Sequence, residues 1–196
     1  MDIDPESLPV KERYALLTSF IQPRPIAWVS TQDGEGRLNL APFSFFTGVT
    51  ANPMTLCFAP ARTKEGRKKD TLLNIEETGE FVVSIVTEET ARKAVETSAE
   101  WPRGVSEFEK AGLTPAPSAR VKPPRVRESP VSLECELSRL VSVSEGPIGG
   151  TLVLGRVVFV HAEGALSHEA LKTVGRLEGD WYAPVREAFR LPRPRL

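Results

Sequence analysis

The sequence predicts a mainly β protein, an antiparallel barrel with short peripheral helices. Three observations predict it. Short apolar runs rich in β-branched and aromatic residues recur along the chain, each bounded by Gly, Pro, Asn or Asp. The links between several of them are too short for a parallel crossover and fit hairpins. The helical patterns are brief and do not alternate with strands as a parallel sheet requires. Together they imply about six to eight strands with three or four short helices.

Residues 10–20, VKERYALLTSF, read as an amphipathic helix with Tyr14, Leu17 and Phe20 near one face. Pro23 and Pro25 end it and force an extended path. IAWVST, 26–31, is the first strand, and the turn Gln32–Gly36 returns the chain along Arg37–Leu40. Pro42 should break that second strand, because proline has no N–H to donate. SFFTGVT at 44–50 and MTLCFA at 54–59 follow as strands around the Asn52-Pro53 turn. After the basic loop ARTKEGRKK, Asp70 is placed to N-cap the helix DTLLNIEET, with Gly79 as its terminator. EFVVSIV, 80–86, is a strand. A helix should start at Thr87, with Glu88 and Glu89 in its first turn. Residues 101–130 are irregular and proline-rich, with one short helix in WPRGVSEFEKAG, and read as an excursion that covers a site or reaches a partner. VSLECELSRLVSVSE and TLVLGRVVFVH form the clearest hairpin across GPIGG, with Val131, Leu133, Cys135 and Leu137 on one side. Ser167 caps a last short helix, and the segment from Gly175 onward reads as loop with a few helical turns.

Length and composition fit one domain over 1–196, with a core at about 20–182 and a tail at 183–196. Net charge is −1, which argues against a nucleic-acid binder, although basic residues cluster at 62–69 and 186–195. Two cysteines in apolar runs read as buried thiols, and two histidines cannot build a His-rich metal site, so no metal is expected. The N-terminus lacks a signal-peptide pattern and no apolar run is long enough to span a bilayer, so the expectation is a cytoplasmic protein with no membrane partner.

Three stretches carry polar chemistry. At Asn39–Ser44 a proline-broken strand leaves backbone groups beside the hydroxyls of Ser30, Thr31, Ser44 and Thr47; it reads either as a plain edge strand or as a wall for a flat heteroaromatic ligand. At Gly66–Thr71, Lys68 and Lys69 precede a helix N-terminus, which is either a solvated charged loop or a phosphate grip. At His168–Tyr182, Arg176 lies between Gly175 and Gly179, with Trp181 and Tyr182 able to stack on a ligand; His168 alone reads as a surface residue. No nucleophile motif or placed carboxylate pair accompanies them, which favours a cofactor that brings its own chemistry and leaves no side chain assigned as catalytic.

RPIAWVST, NLAPFSFF, TLCFAP, GRKKDTLLNI, FVVSIV, SAEWPRGVSEFEKAGL, SPVSLECEL and VGRLEGDWY occur in an order that resembles the flavin reductase-like, FMN-binding split-barrel family, specifically its flavoredoxin branch. The resemblance implies a homodimeric split β-barrel with FMN near the dimer interface and NAD(P)H as electron donor. It places the flavin ring against Trp28, Val29, Ser30 and Thr31 and the turn Asn39, Leu40, Ala41, Pro42 and Ser44, with backbone groups of Leu40 and Ala41 on the ring edge and Phe58 and Ala59 close by. The phosphate falls to Arg62, Lys69, Asp70 and Thr71, with Asp70 as cap. Trp101, from the partner subunit's segment 101–108, covers the flavin, and Arg176 and Tyr182 belong to the family's tail motif. The implied reaction is hydride transfer to flavin N5 and electron delivery to a small-molecule acceptor or free flavin. A flavoredoxin-type electron carrier and a non-catalytic flavin- or heme-related ligand-binding barrel are the alternatives, and FAD stands beside FMN.

Overall fold

The computed structural model describes residues 2–194; Met1 and the last two residues of the expected tail lie outside the described residues. The chain opens with helix α1 (Val10–Phe20), followed by strands β1 (Ala27–Gln32), β2 (Leu38–Phe43), β3 (Phe46–Ala51) and β4 (Met54–Phe58). Helix α2 (Asp70–Thr78) leads to β5 (Glu80–Ile85), and helices α3 (Ala91–Glu96) and α4 (Glu107–Lys110) come next. Two short strands, β6 (Pro115–Ala116) and β7 (Arg125–Val126), precede the long hairpin β8 (Val131–Ser142) and β9 (Thr151–Ala162). Helix α5 (His168–Leu171) and strands β10 (Val174–Arg176) and β11 (Tyr182–Pro184) finish the chain.

Seven strands form one antiparallel sheet in the order β2-β1-β5-β8-β9-β4-β3. Its two edge strands are consecutive in the chain and only Ser44 and Phe45 separate them. The three Cα steps from Phe43 to Phe46 reach roughly 11 Å at most, so the sheet must curl until its edges come together. The result is a barrel with an open seam between β2 and β3. Inside it pack Val29, Phe43, Phe58, Phe81, Val83 and Val153, together with Leu72 and Ile75 of α2. Gly155 belongs to this packing, because a Cβ there would sit 2.2 Å from the Phe81 ring.

β1 is buried on both faces. Ala27 and Val29 point into the barrel, while Trp28 joins a second cluster with Leu40, Val86, Ala94 and Phe108 under the peripheral helices. That two-sided burial explains why IAWVST lacks a polar face.

Several expectations need correction. β2 runs straight through Pro42, which pairs with Trp28, because β2 is an edge strand and its outer side needs no ladder donor. Asp70 is the first residue of α2 rather than its cap; Lys69 holds the cap position and no side chain bonds the helix end. Gly79 does end the helix in the left-handed conformation, at φ 71°. The helix expected at Thr87 starts at Ala91, because the Thr90 hydroxyl takes the Thr87 N–H at 3.0 Å and closes a turn first. The described part of the tail holds two short strands, β10 and β11, in place of helical turns.

The excursion after α4 packs outside the barrel on β8. There Glu134, fully buried, accepts the N–H groups of Ala119 and Arg120 at 2.6 Å and of Val121 at 3.2 Å, and meets His161 Nε2 at 2.5 Å. The alternation read in this strand therefore has a second buried side, made of Ser132 and Glu134. Burial pushes the Glu134 carboxyl up, but the backbone donors and His161 outweigh it and hold it below the ordinary carboxylate value.

A carboxylate lowered in the folded state contributes stability above its unfolded value, and that stability is lost as pH falls through the folded one. Glu134→Gln should therefore cost about 2 kcal/mol at neutral pH, the scale of charge-assisted hydrogen bonds. The gap to wild type should narrow as pH drops below about 4. Urea unfolding at both pH values measures it; an equal gap at both would contradict this account.

Candidate functional site

A cavity of about 810 Å³ opens beside the seam. Three walls enclose it. The first is the edge strand β2, through Asn39, Ala41, Pro42 and Phe43. The second is the N-terminus of α2 with its approach loop, from Arg62 to Thr71. The third is the segment 97–103, with Glu107 of α4 behind it.

A buried polar knot fixes the first two walls. Asn39 Nδ2 donates to Thr71 Oγ1 at 2.8 Å and, more loosely, to Thr31 Oγ1 at 3.4 Å. Asn74 Nδ2 donates to the same Thr31 hydroxyl at 3.0 Å. The covering segment is pinned at both ends. Trp28 Nε1 donates to Thr97 Oγ1 at 2.9 Å. Arg103 reaches Asp70 at 2.8 Å, Asn74 Oδ1 at 3.2 Å and Asp33 at 3.7 Å. Between these ends the Trp101 ring lies under the Lys110 ammonium, 5.1 Å from its centroid.

The cavity is rich in cations, and their pairing decides which can take a ligand. Lys68 is occupied by Glu76 at 2.6 Å, Arg103 by Asp70, and Arg67 stands 3.7 Å from Glu65. Lys69 has no carboxylate within 4.0 Å among the described residues. Arg62 donates to the Gly66 carbonyl at 3.1 Å and stands 4.0 Å from Glu145, but its Nε is buried with no partner. At the end of α2, Leu72 and Leu73 donate to the Lys69 carbonyl, while the Asp70 and Thr71 N–H groups have no partner among the described residues. Open helix-end N–H groups, a free ammonium and an orphaned guanidinium Nε fit a phosphate. Glu107 is the contrary charge. Burial pushes its carboxyl up, the Leu40 N–H opposes that, and the nearby Asp70 adds to the rise.

Of the residues marked from sequence, Asn39, Ala41, Pro42, Arg62, Lys69, Asp70, Thr71 and Trp101 border this cavity. Trp28, Val29, Ser30, Thr31, Leu40 and Phe58 do not: all six are fully buried. Trp28 is spent on Thr97, the Ser30 hydroxyl on the Pro124 carbonyl, and Val29 and Phe58 fill the barrel. The Leu40 N–H is likewise taken, by Glu107 Oε2 at 2.9 Å. Because neighbouring residues of an antiparallel strand point their N–H groups to opposite sides, the Ala41 N–H faces β1. Neither N–H is free for a ring edge, while the Leu40 carbonyl faces the outer side together with its N–H. The Ala59 N–H bonds the Phe45 carbonyl at 2.9 Å. Ser44, Arg176 and Tyr182 line a smaller pocket of about 70 Å³ that shares Pro42 and Ser98 with the main one. There Arg176 lies over the Tyr182 ring, 4.7 Å from its centroid, and bonds its hydroxyl.

Sequence reasoning did not single out Arg103, Glu107, Thr97 or Asn74. It also missed Arg24, whose buried guanidinium ties the Thr18 and Ile21 carbonyls of the α1 end to the Leu177 carbonyl and the Ser44 hydroxyl. Each makes its decisive bond far along the chain or across a turn, where local pattern carries no signal. Only the proline pair around Arg24 hinted at a fixed path.

Residues 21–176 match the model of the flavin reductase like domain. The chain belongs to that family. It is 38% identical to nitrilotriacetate monooxygenase component B from Bacillus cereus, covering 97% of this chain and 98% of that one, with a TM-score of 0.92. It is 30% identical to the 2-nitrobenzoate 2-nitroreductase of Pseudomonas fluorescens, over 99% and 96% of the two chains, with a TM-score of 0.86. A chain from Shewanella frigidimarina described as carrying a split barrel domain matches at 26% identity, over 97% and 96%, with a TM-score of 0.84. The seamed barrel described above is thus a split barrel of the flavin reductase kind.

Arg103 anchors the cover through half-exposed ion pairs, and such pairs contribute little to global stability. Arg103→Ala should change the unfolding free energy by under about 1 kcal/mol. It should nonetheless accelerate amide exchange selectively over residues 97–106. Hydrogen exchange read by mass spectrometry checks this, and unchanged protection there would mean Arg103 is not the anchor.

Proposed function

We propose that this protein is a flavin oxidoreductase that binds FMN in the 810 Å³ cavity. It takes reducing equivalents from NAD(P)H and delivers them to a small-molecule acceptor or to free flavin. The observation that carries the reading is the unspent cationic corner: Lys69, the Arg62 Nε and the open N-terminus of α2, set beside a flat wall of Ala41 and Pro42. Family membership and the redox relatives point the same way.

In this reading Lys69, Arg62 and the Asp70 and Thr71 N–H groups hold the phosphate, and Asp70 stays neutralised by Arg103 so that it does not repel it. The ring lies along β2, under the chain's own segment 97–103. A bound flavin supplies hydride acceptance from a nicotinamide and electron release to an acceptor. The protein supplies position and cover. Trp101 shields the cavity from water, and Arg176 and Tyr182 flank the approach through the smaller pocket. The working unit is a homodimer, consistent with the exposed apolar side chains Val10, Tyr14, Leu17 and Phe20 along α1 and Val49 and Met54 on β3 and β4.

Titrating the purified protein with FMN should quench and shift flavin absorption and fluorescence, and NADH or NADPH should then bleach the flavin band. FMN binding without bleaching by either nicotinamide would leave a carrier or a binding barrel instead. Lys69→Ala should weaken FMN binding about tenfold, roughly 1.4 kcal/mol, and riboflavin binding much less, since riboflavin has no phosphate. Equal losses for the two flavins would remove Lys69 from the phosphate grip.

A further inference from the structure

Glu107 is a buried group that the reaction proposed above does not use. It is 8% exposed, sits at the start of α4, and borders the cavity. Its Oε2 is committed to the Leu40 N–H at 2.9 Å. Among the described residues no Arg, Lys or His lies within 4.0 Å of it, and besides the Leu40 N–H its carboxyl meets only the backbone N–H of Glu107 itself. With Oε2 on Leu40 and no cation beside it, the carboxyl borders the cavity without a charge partner.

The donor and acceptor inventory around it is one-sided. With the Leu40 N–H pointing away from β1, the next N–H on that outer edge would belong to residue 42, which is proline. The side-chain amide of Asn39, on the same strand, is spent on Thr71 and Thr31. This stretch of the β2 edge thus offers acceptors and no free donor, and Glu107 adds the strongest acceptor.

We propose that Glu107 is a specificity-determining residue whose Oε1 selects ligands that present a ring N–H donor toward the β2 edge. Resting on the flavin reading above, the donor is the imide N–H of the flavin pyrimidine ring. A ring alkylated at that nitrogen would lose the hydrogen bond and leave the carboxyl group unmatched.

The test compares binding of FMN, 3-methyl-FMN and riboflavin to the wild type, Glu107→Ala and Glu107→Gln, by fluorescence titration. The wild type should favour FMN over 3-methyl-FMN by about tenfold or more, as expected for a hydrogen bond to a charged group. Glu107→Ala should cut that preference to about twofold or less. The FMN-to-riboflavin ratio, set by the phosphate grip, should stay unchanged. Glu107→Gln keeps the bond to Leu40 through its amide oxygen and turns its NH₂ to the cavity, so its preference should collapse with the fold intact. A wild-type ratio near one, or a ratio unchanged in the variants that fold, overturns the proposal. A wild type that binds no FMN overturns the flavin reading itself and the proposal with it. Should Glu107→Ala not fold, the wild-type ratio and Glu107→Gln decide.

Discussion

The site depends on one buried hydrogen-bond knot. Asn39 of β2, Thr31 of β1 and Thr71 and Asn74 of α2 meet in it, and Asn74 passes the connection on to Arg103 of the cover. Each bond contributes only about 1 kcal/mol net, but leaving one of these buried groups unmatched costs about 1–3 kcal/mol. The knot therefore acts less as a source of stability than as a constraint on register. It allows α2 one position over the sheet, and that position aims the helix end into the cavity. The apolar residues beneath, Leu72 and Ile75, would tolerate a small slide of the helix; the amides and hydroxyls would not.

That helix end is built against its own stability. A Ser, Thr, Asp or Asn at the cap of α2 would add about 1 kcal/mol. Lys69 stands there instead, and a cation beside the positive end of a helix dipole is unfavourable. An anion in the cavity reverses both terms, since it takes the open N–H groups and neutralises the lysine. Asp70 sits one residue too late to close the end, and Arg103 holds its carboxylate at 2.8 Å. The local helix rule fails at this point, as expected where function rather than stability sets an end, and the proposed phosphate grip would supply that function.

This explains which parts were legible in the sequence. Apolar alternation and a Gly-Pro turn placed β8 and β9 directly, although the alternation did not show the second buried side of β8 at Ser132 and Glu134. β1 was readable as a strand but not by face: with both sides buried, its hydroxyls and its tryptophan looked ligand-facing. Pro42 looked like a break in the ladder, although the plain edge strand, one of the two readings of that stretch, is what β2 is. In the site, the contiguous Lys69–Thr71 and Asn39–Pro42 stretches could be seen, since each carries its own local signature. Glu107 could not. A four-residue helix has too little period to show which face it buries, and the partner of its carboxylate is a backbone N–H at Leu40.

The misreading of Trp28 clarifies how the cover works. Trp28 lies on the face of β1 opposite the barrel interior, and its indole N–H reaches not a ligand but Thr97, the first residue of the covering segment. Arg103 holds the other end to α2 and to the β1–β2 turn through Asp70 and Asp33. The cover is therefore a strap of a few residues, 98–102, slung between an anchor on the rear of the sheet and an anchor on the helix whose end borders the cavity. Only the middle of such a strap can yield without breaking a buried bond, and Trp101 is in that middle. Arg103 and the helix end share Asp70, so the carboxylate that holds the strap down also stands at the cationic corner. On the flavin reading proposed above, the cationic corner and the strap are therefore linked through Asp70 and, by way of Arg103, through Asn74.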